Sequence, residues 1–141
     1  MTPTPVTGRC LCGAIQFEIG SGLGNASYCH CTRCQRRTGT AASVQARFEG
    51  DSLRFISGEE LLKAYDPGGG SFHKLFCSEC GSSLFSRSPS DPSVWSVRFG
   101  ALDADPGVRP SYRQFVAYAA TWEQVPDDGL PHFPERRPPD S

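Results

Sequence analysis

The chain has 141 residues, enough for one domain with a real core, and its 38% hydrophobic and 21% charged content is globular, not disordered. Fourteen basic against fifteen acidic residues leave a net charge of −1, which offers no broad attraction to phosphate backbones and disfavours a nucleic-acid partner. No apolar run approaches the roughly 20 residues that span a bilayer, and the start "MTPTPVTGRC" lacks an apolar stretch after a basic end, so neither a membrane span nor a secretory leader is expected.

Along the chain, "AIQFEIG" alternates, with Ile15, Phe17 and Ile19 on one face, as a half-buried strand does. "SGLGNAS" reads as a loop. "AASVQARFEG" sets Ala42, Val44, Ala46 and Phe48 on one face and turns at residues 49–51. "LRFISG" and "LLKAYDPGGG" are short strands closed by turn residues, with Gly68–Gly70 a loop tip. "SFHKLFCSECGSSLFSR" reads as strand, cysteine knuckle and returning strand, and "SVWSVRFGAL" and "RQFVAYAA" complete the β candidates. Trp95, Phe99, Phe115 and Tyr118 on those strands are assigned to the core. Asp103 and Asp105 read as turn residues. The one helix expected is short, around Thr32 to Thr38. From Pro126 the chain is proline-rich and expected to run extended over the surface. Trp122 and residues 130–133, which include His132, either fold back as a lid or close the core. The fold class is mainly β, in a single domain.

The seven cysteines fall into three groups: Cys10 and Cys12, then Cys29, Cys31 and Cys34, then Cys77 and Cys80. A cytoplasmic location is the default for a chain without a leader, and there such thiols are more naturally metal ligands than disulfides. Zinc takes tetrahedral sulfur and nitrogen ligation with zinc–sulfur bonds of about 2.3 Å. "CSEC" is a tight knuckle that points both thiols at one ion, and in "CLC" alternate side chains of an extended backbone share a face. Each doublet supplies half a tetrahedron, so Cys10, Cys12, Cys77 and Cys80 together form one closed site. "CHCTRC" is then left with three ligands, the number that catalytic zinc sites use when a fourth position is kept for water or substrate.

Spacing alone leaves other readings of the triad open. His30, or His73 or His132, could close it as a structural Cys₃His site, although on an extended segment His30 points away from Cys29 and Cys31. The thiols could instead do redox chemistry, although no βαβ pattern surrounds "CTRC". Three thiolates give a zinc centre of net charge −1, a weak Lewis acid suited to a soft fourth ligand such as a substrate thiolate. Arg33, Arg36 and Arg37 could offset that charge and grip carboxylates, or stand simply in solvent.

In order, "GRCLCG", "YCHCTRCQRRTG" and "FCSECGSS" resemble the glutathione-dependent formaldehyde-activating enzyme family, which includes the centromere protein V domain. "WSVRFGALD" and "TWEQVPDDGLPHF" resemble its later segments, so the likeness runs from Gly8 to Phe133. It implies a lead at residues 1–7, a zinc-pinned β-tent of twisted antiparallel sheets at 8–133, and a proline-rich tail at 134–141. It further implies a structural zinc on Cys10, Cys12, Cys77 and Cys80 and a catalytic zinc on Cys29, Cys31 and Cys34. The implied activity is a carbon–sulfur lyase reaction on S-(hydroxymethyl)glutathione or a related small thiol adduct, with a thiol such as glutathione as partner. Arg33, Arg36 and Arg37 are candidates for its carboxylates. The competing expectation is a non-catalytic zinc module that binds a protein or nucleic acid.

Overall fold

A computed structural model describes residues 4–139, in which ten strands and one α-helix form a mainly β structure with two sheets. The ends of the expected lead and tail, residues 1–3 and 140–141, lie outside the described residues. The contacts gather into two compact units, one of residues up to Gly24 with Ala46–Val108, the other of Asn25–Gln45 with the residues from Arg109.

In the first unit, β1 (Val6–Arg9), β2 (Gln16–Ile19) and β5 (Leu53–Ser57) make an antiparallel sheet in the order β1-β2-β5. The alternation read in β2 is realised: Ile15, Phe17 and Ile19 are wholly buried. Gly8 faces Phe17 across β1, and a side chain there would collide with the Phe17 ring and the Ala101 carbonyl. β1 takes in Val6 and Thr7 of the expected lead, and Asp103 secures it by accepting hydrogen bonds from Thr7 Oγ1 (2.9 Å) and Arg9 Nε (3.0 Å).

The rest of this unit is a meander of β6 (Leu62–Tyr65), β7 (His73–Cys77), β8 (Ser83–Arg87) and β9 (Val94–Arg98), antiparallel throughout. β4 (Ser43–Glu49) borders β9. Phe85 on β8 is the hub of the core, wholly buried, with ring centroids 4.8 Å from Phe17, 5.7 Å from Trp95, 6.1 Å from Phe48 and 6.2 Å from Phe55. Edge-to-face packing of this kind adds to the burial of apolar area. The core reaches the first cysteine pairs, since Cys10 and Cys77 are buried within it.

In the second unit, β3 (Ala26–Cys29) runs parallel to the short β10 (Arg113–Gln114) on one side and has β4 as its other neighbour. Helix α1 (Thr32–Thr38) follows β3, where the sequence places it. It ends because Gly39 adopts a left-handed conformation (φ 69°) and its N–H bonds the Gln35 carbonyl. "RQFVAYAA" is not the full strand expected. Phe115 turns left-handed (φ 58°) and Val116–Tyr118 coil into a 3₁₀ turn. The backbone partners here come from the chain's last segment: Arg113 N–H bonds the Pro131 carbonyl, Phe133 N–H the Arg113 carbonyl, and Phe115 N–H the Glu135 carbonyl. Tyr118 is consequently exposed, and Phe99 and Phe115 are only half-buried; Trp95 alone of the four aromatics assigned to the core packs against it.

Candidate metal centres

Two tight turns build the four-thiol cluster. After β1, Gly13 N–H bonds the Cys10 carbonyl (3.0 Å) and Ile15 N–H points at Cys10 Sγ (3.3 Å). After β7, Gly81, left-handed at φ 79°, bonds the Cys77 carbonyl (2.8 Å). Ser82 joins the two knuckles, its Oγ accepting from Leu11 N–H (2.9 Å) and lying 3.2 Å from Cys80 Sγ. The sulfurs of Cys10, Cys12, Cys77 and Cys80 lie within 4.8 Å of one another.

A tetrahedron with bonds of about 2.3 Å has edges of about 3.8 Å. The Cys10–Cys12 and Cys12–Cys77 sulfur separations, 3.5 and 3.9 Å, bracket that edge. The thiols of Cys10, Cys12 and Cys80 are not equivalent. The Ser82 hydroxyl and backbone N–H groups of Cys12 and Ser82 hold the Cys80 thiol down to about 5. Cys12 stands at about 11: the Ala14 N–H works to lower it, but the Cys10 thiol, burial and the neighbouring sulfurs raise it. Four sulfurs this close become thiolates together only around a cation.

The second cluster takes Cys29 from the end of β3, Cys31 from the N-cap of α1 and Cys34 from its first turn. Cys34 N–H donates to Cys31 Sγ (3.3 Å), so the cap bond that starts the helix also aims a sulfur. The three sulfurs lie within 4.8 Å of one another. The Cys31 and Cys34 thiols, together with burial, push the Cys29 thiol up. Both clusters could therefore bind metal ions. Among the described residues no fourth His, Cys, Asp or Glu joins the triad.

His30 lies between Cys29 and Cys31 and is 4% exposed. Its Nε2 is 3.1 Å from Arg113 NH1, and its backbone N–H bonds the Gln114 carbonyl (3.0 Å). Burial, then the Arg113 charge, pushes its pKa down. Arg113, itself 6% exposed, donates to Asp128 Oδ2 through NH2 (3.0 Å) and Nε (3.3 Å) and stacks 4.0 Å over the Tyr28 ring. Gln35 Nε2 donates to the carbonyls of His30 and Tyr118, both at 2.8 Å. His73 sits beside Asp66 at 3.6 Å, within the first unit, and His132 is exposed.

Of the three candidate arginines, Arg33 and Arg36 are exposed and Arg37 is half-buried, its pKa lowered by that burial. Arg36 lines an open cavity of about 260 Å³ with Thr32, Gln35, Gly39, Thr40 and Trp122; Arg33 and Arg37 do not line it. Thr32, Gln35, Arg36 and Gly39 follow helical spacing, so this wall is the helix face next to the one carrying Cys31 and Cys34. Trp122 is 69% exposed and forms part of this wall, neither closing a core nor covering one. A larger cavity of about 560 Å³, lined by Gly22, Arg47 and Glu49 among others, contains no cysteine.

The residues that sequence reasoning missed are Arg113, Asp128 and Gln35. The one local hint of Arg113 is its place near aromatics in "SYRQF", and an arginine buried there needs a partner. Among the described residues no helix is long and apolar enough to cross a membrane.

Comparison with known proteins agrees with this geometry. The family model described as glutathione-dependent formaldehyde-activating enzyme matches residues 5–118. A crystal structure of a Rhodobacter sphaeroides protein is similar with a TM-score of 0.59 and 26% identity, covering 90% of this chain and 98% of that one. With its cysteine pairs, its mainly β architecture and a match over most of its length, the chain belongs to the glutathione-dependent formaldehyde-activating enzyme family.

Proposed function

We propose that the chain is a zinc-dependent carbon–sulfur lyase acting on S-(hydroxymethyl)glutathione or a related small thiol adduct. Cys10, Cys12, Cys77 and Cys80 hold a structural zinc, and Cys29, Cys31 and Cys34 a catalytic one. The observation that carries the reading is the unequal donor count: four gathered sulfurs in one cluster, three in the other with no fourth side-chain ligand among the described residues. When bound at the triad, zinc stabilises the substrate sulfur as thiolate, which makes it a leaving group in one direction and a nucleophile in the other.

The chain's own residues supply position. The Cys31 cap bond and the Gln35 bridge fix α1 against the end of β3, so the three sulfurs keep their spacing. Arg36, on the cavity wall, offers a planar pair of donors to a glutathione carboxylate, and the Trp122 ring supplies an apolar flank. Arg33 and Arg37 balance the negative charge of the three thiolates at longer range. In the cleavage direction the carbon–sulfur bond breaks with its electrons going to sulfur, and the hydroxyl proton passes to solvent water as the formaldehyde carbonyl forms.

The test is metal analysis and thiol binding on one set of proteins. Zinc-saturated wild type should hold about two ions per chain, and the Cys29→Ser/Cys31→Ser/Cys34→Ser variant about one, with its fold retained. Glutathione should bind wild type and not that variant. Equal binding to both discards the mechanism.

A further inference from the structure

The buried network of His30, Arg113 and Asp128 touches the triad through the residue between two of its cysteines, which makes it more than packing. A guanidinium carries only donors, so the 3.1 Å contact fixes the roles: Arg113 NH1 donates, His30 Nε2 accepts, and the ring proton sits on Nδ1. Both ring nitrogens are thereby committed, one to a proton and one to Arg113. Imidazole is among the preferred zinc ligands, and His30 is covalently placed between Cys29 and Cys31. Of the chain's histidines it is the one best placed in sequence to complete the triad as Cys₃His.

Two restraints oppose that. The backbone bond from His30 N–H to the Gln114 carbonyl keeps the segment extended, which sends its ring away from the flanking thiols. The Arg113 bond then holds the ring there by its lone pair. Arg113 is in turn held by two bonds to Asp128 Oδ2 and by the Tyr28 ring, in a site that leaves it 6% exposed.

We propose that Arg113 is a positioning residue that reserves the triad's fourth coordination position for an incoming thiol by holding the lone pair of His30, with Asp128 anchoring Arg113. This rests on the reading that the triad binds a metal and a substrate thiol. Without Arg113 a buried imidazole nitrogen on the residue between Cys29 and Cys31 is left unpaired, only the backbone bond to Gln114 then opposes its turning toward the triad, and ligation becomes a partner open to it.

The test uses the full chain loaded with Co²⁺, whose visible and sulfur-to-metal absorption reports the ligand set, titrated with glutathione. Wild type should show a saturable spectral change. Arg113→Met should show, before any thiol is added, a spectrum shifted toward mixed sulfur and nitrogen ligation, and should bind glutathione on the order of 10–100-fold more weakly. Arg113→Lys, which keeps a donor, should recover part of the loss. Arg113→Met/His30→Ala should return both spectrum and affinity toward wild type, a reversal that a merely structural role for Arg113 does not produce. An Arg113→Met spectrum and affinity like wild type's, or a double variant no better than the single one, overturns the proposal. If wild type itself fails to respond to glutathione, the lyase reading falls, while the thiol-free spectra still decide the role of Arg113. Should Arg113→Met not fold, Asp128→Asn decides: a smaller shift of the same kind supports the proposal, and an unchanged spectrum overturns it.

Discussion

Replacing Cys77 by serine should cost about twice the stability lost on removing the whole triad, and the difference follows from chain connectivity. Cys77 is wholly buried and faces Cys12 across 65 residues of chain, so an ion held by both closes a long loop. Treated as a cross-link, a loop of that length lowers unfolded-state entropy by an amount worth about 4 kcal/mol at 25 °C. The triad spans residues 29 to 34, and a loop that short is worth only about 2 kcal/mol on the same scale. Against a total stability of about 5–15 kcal/mol, the first loss threatens the fold and the second does not. Urea unfolding of zinc-saturated proteins, followed by far-ultraviolet circular dichroism, measures both. With a slope near 2 kcal/mol per molar, the midpoint should fall by about 2 M for Cys77→Ser and about 1 M for the triple serine variant. Chelated wild type, with every side chain intact, should fall at least as far as Cys77→Ser. If the triple variant loses as much as Cys77→Ser, or chelation leaves wild type unmoved, the loop-closure reasoning is refuted.

Two further outcomes are expected. Phe85→Ala removes the ring at the centre of four aromatic contacts and should destabilise by about 3–5 kcal/mol in thermal or urea melts; a loss under about 1 kcal/mol refutes its place as the hub. Hydrogen bonds from Arg9 and then Thr7 hold the Asp103 carboxyl below its ordinary 3.8. A depressed folded-state pKa adds stability above the ordinary value and loses it as pH falls through the depressed one. Melting of Asp103→Asn should therefore depend less on pH over that acid range than wild type does, and identical acid profiles would exclude the contribution.

What could be read in advance followed from periodicity and from spacing. Strict alternation marked Ile15, Phe17 and Ile19 because β2 buries one face, and both cysteine clusters were visible because a knuckle's thiols are neighbours in sequence. β1 (VTGR) and β3 (ASYC) are no shorter than β2 but carry too few large apolar residues for a period to show. "RQFVAYAA" misled because its apolar content is strand-like, whereas Phe115 takes a left-handed turn imposed by the segment that bonds to it from residues 131–135. The contact of Arg113 with His30 joins positions 83 residues apart, and no local pattern announces such a meeting.

The allocation of the two cysteine clusters to separate units bears on the order in which a growing chain matures. All four sulfurs of the larger cluster have left the ribosome once Cys80 emerges, with the core strands β7 and β8 arriving around it. The three-sulfur cluster is translated earlier but waits longer: β10 and the backbone that secures it come from residues 113 to 135. The four-sulfur cluster can thus gather while the three-sulfur one still lacks the backbone partners that residues 113–135 bring to it.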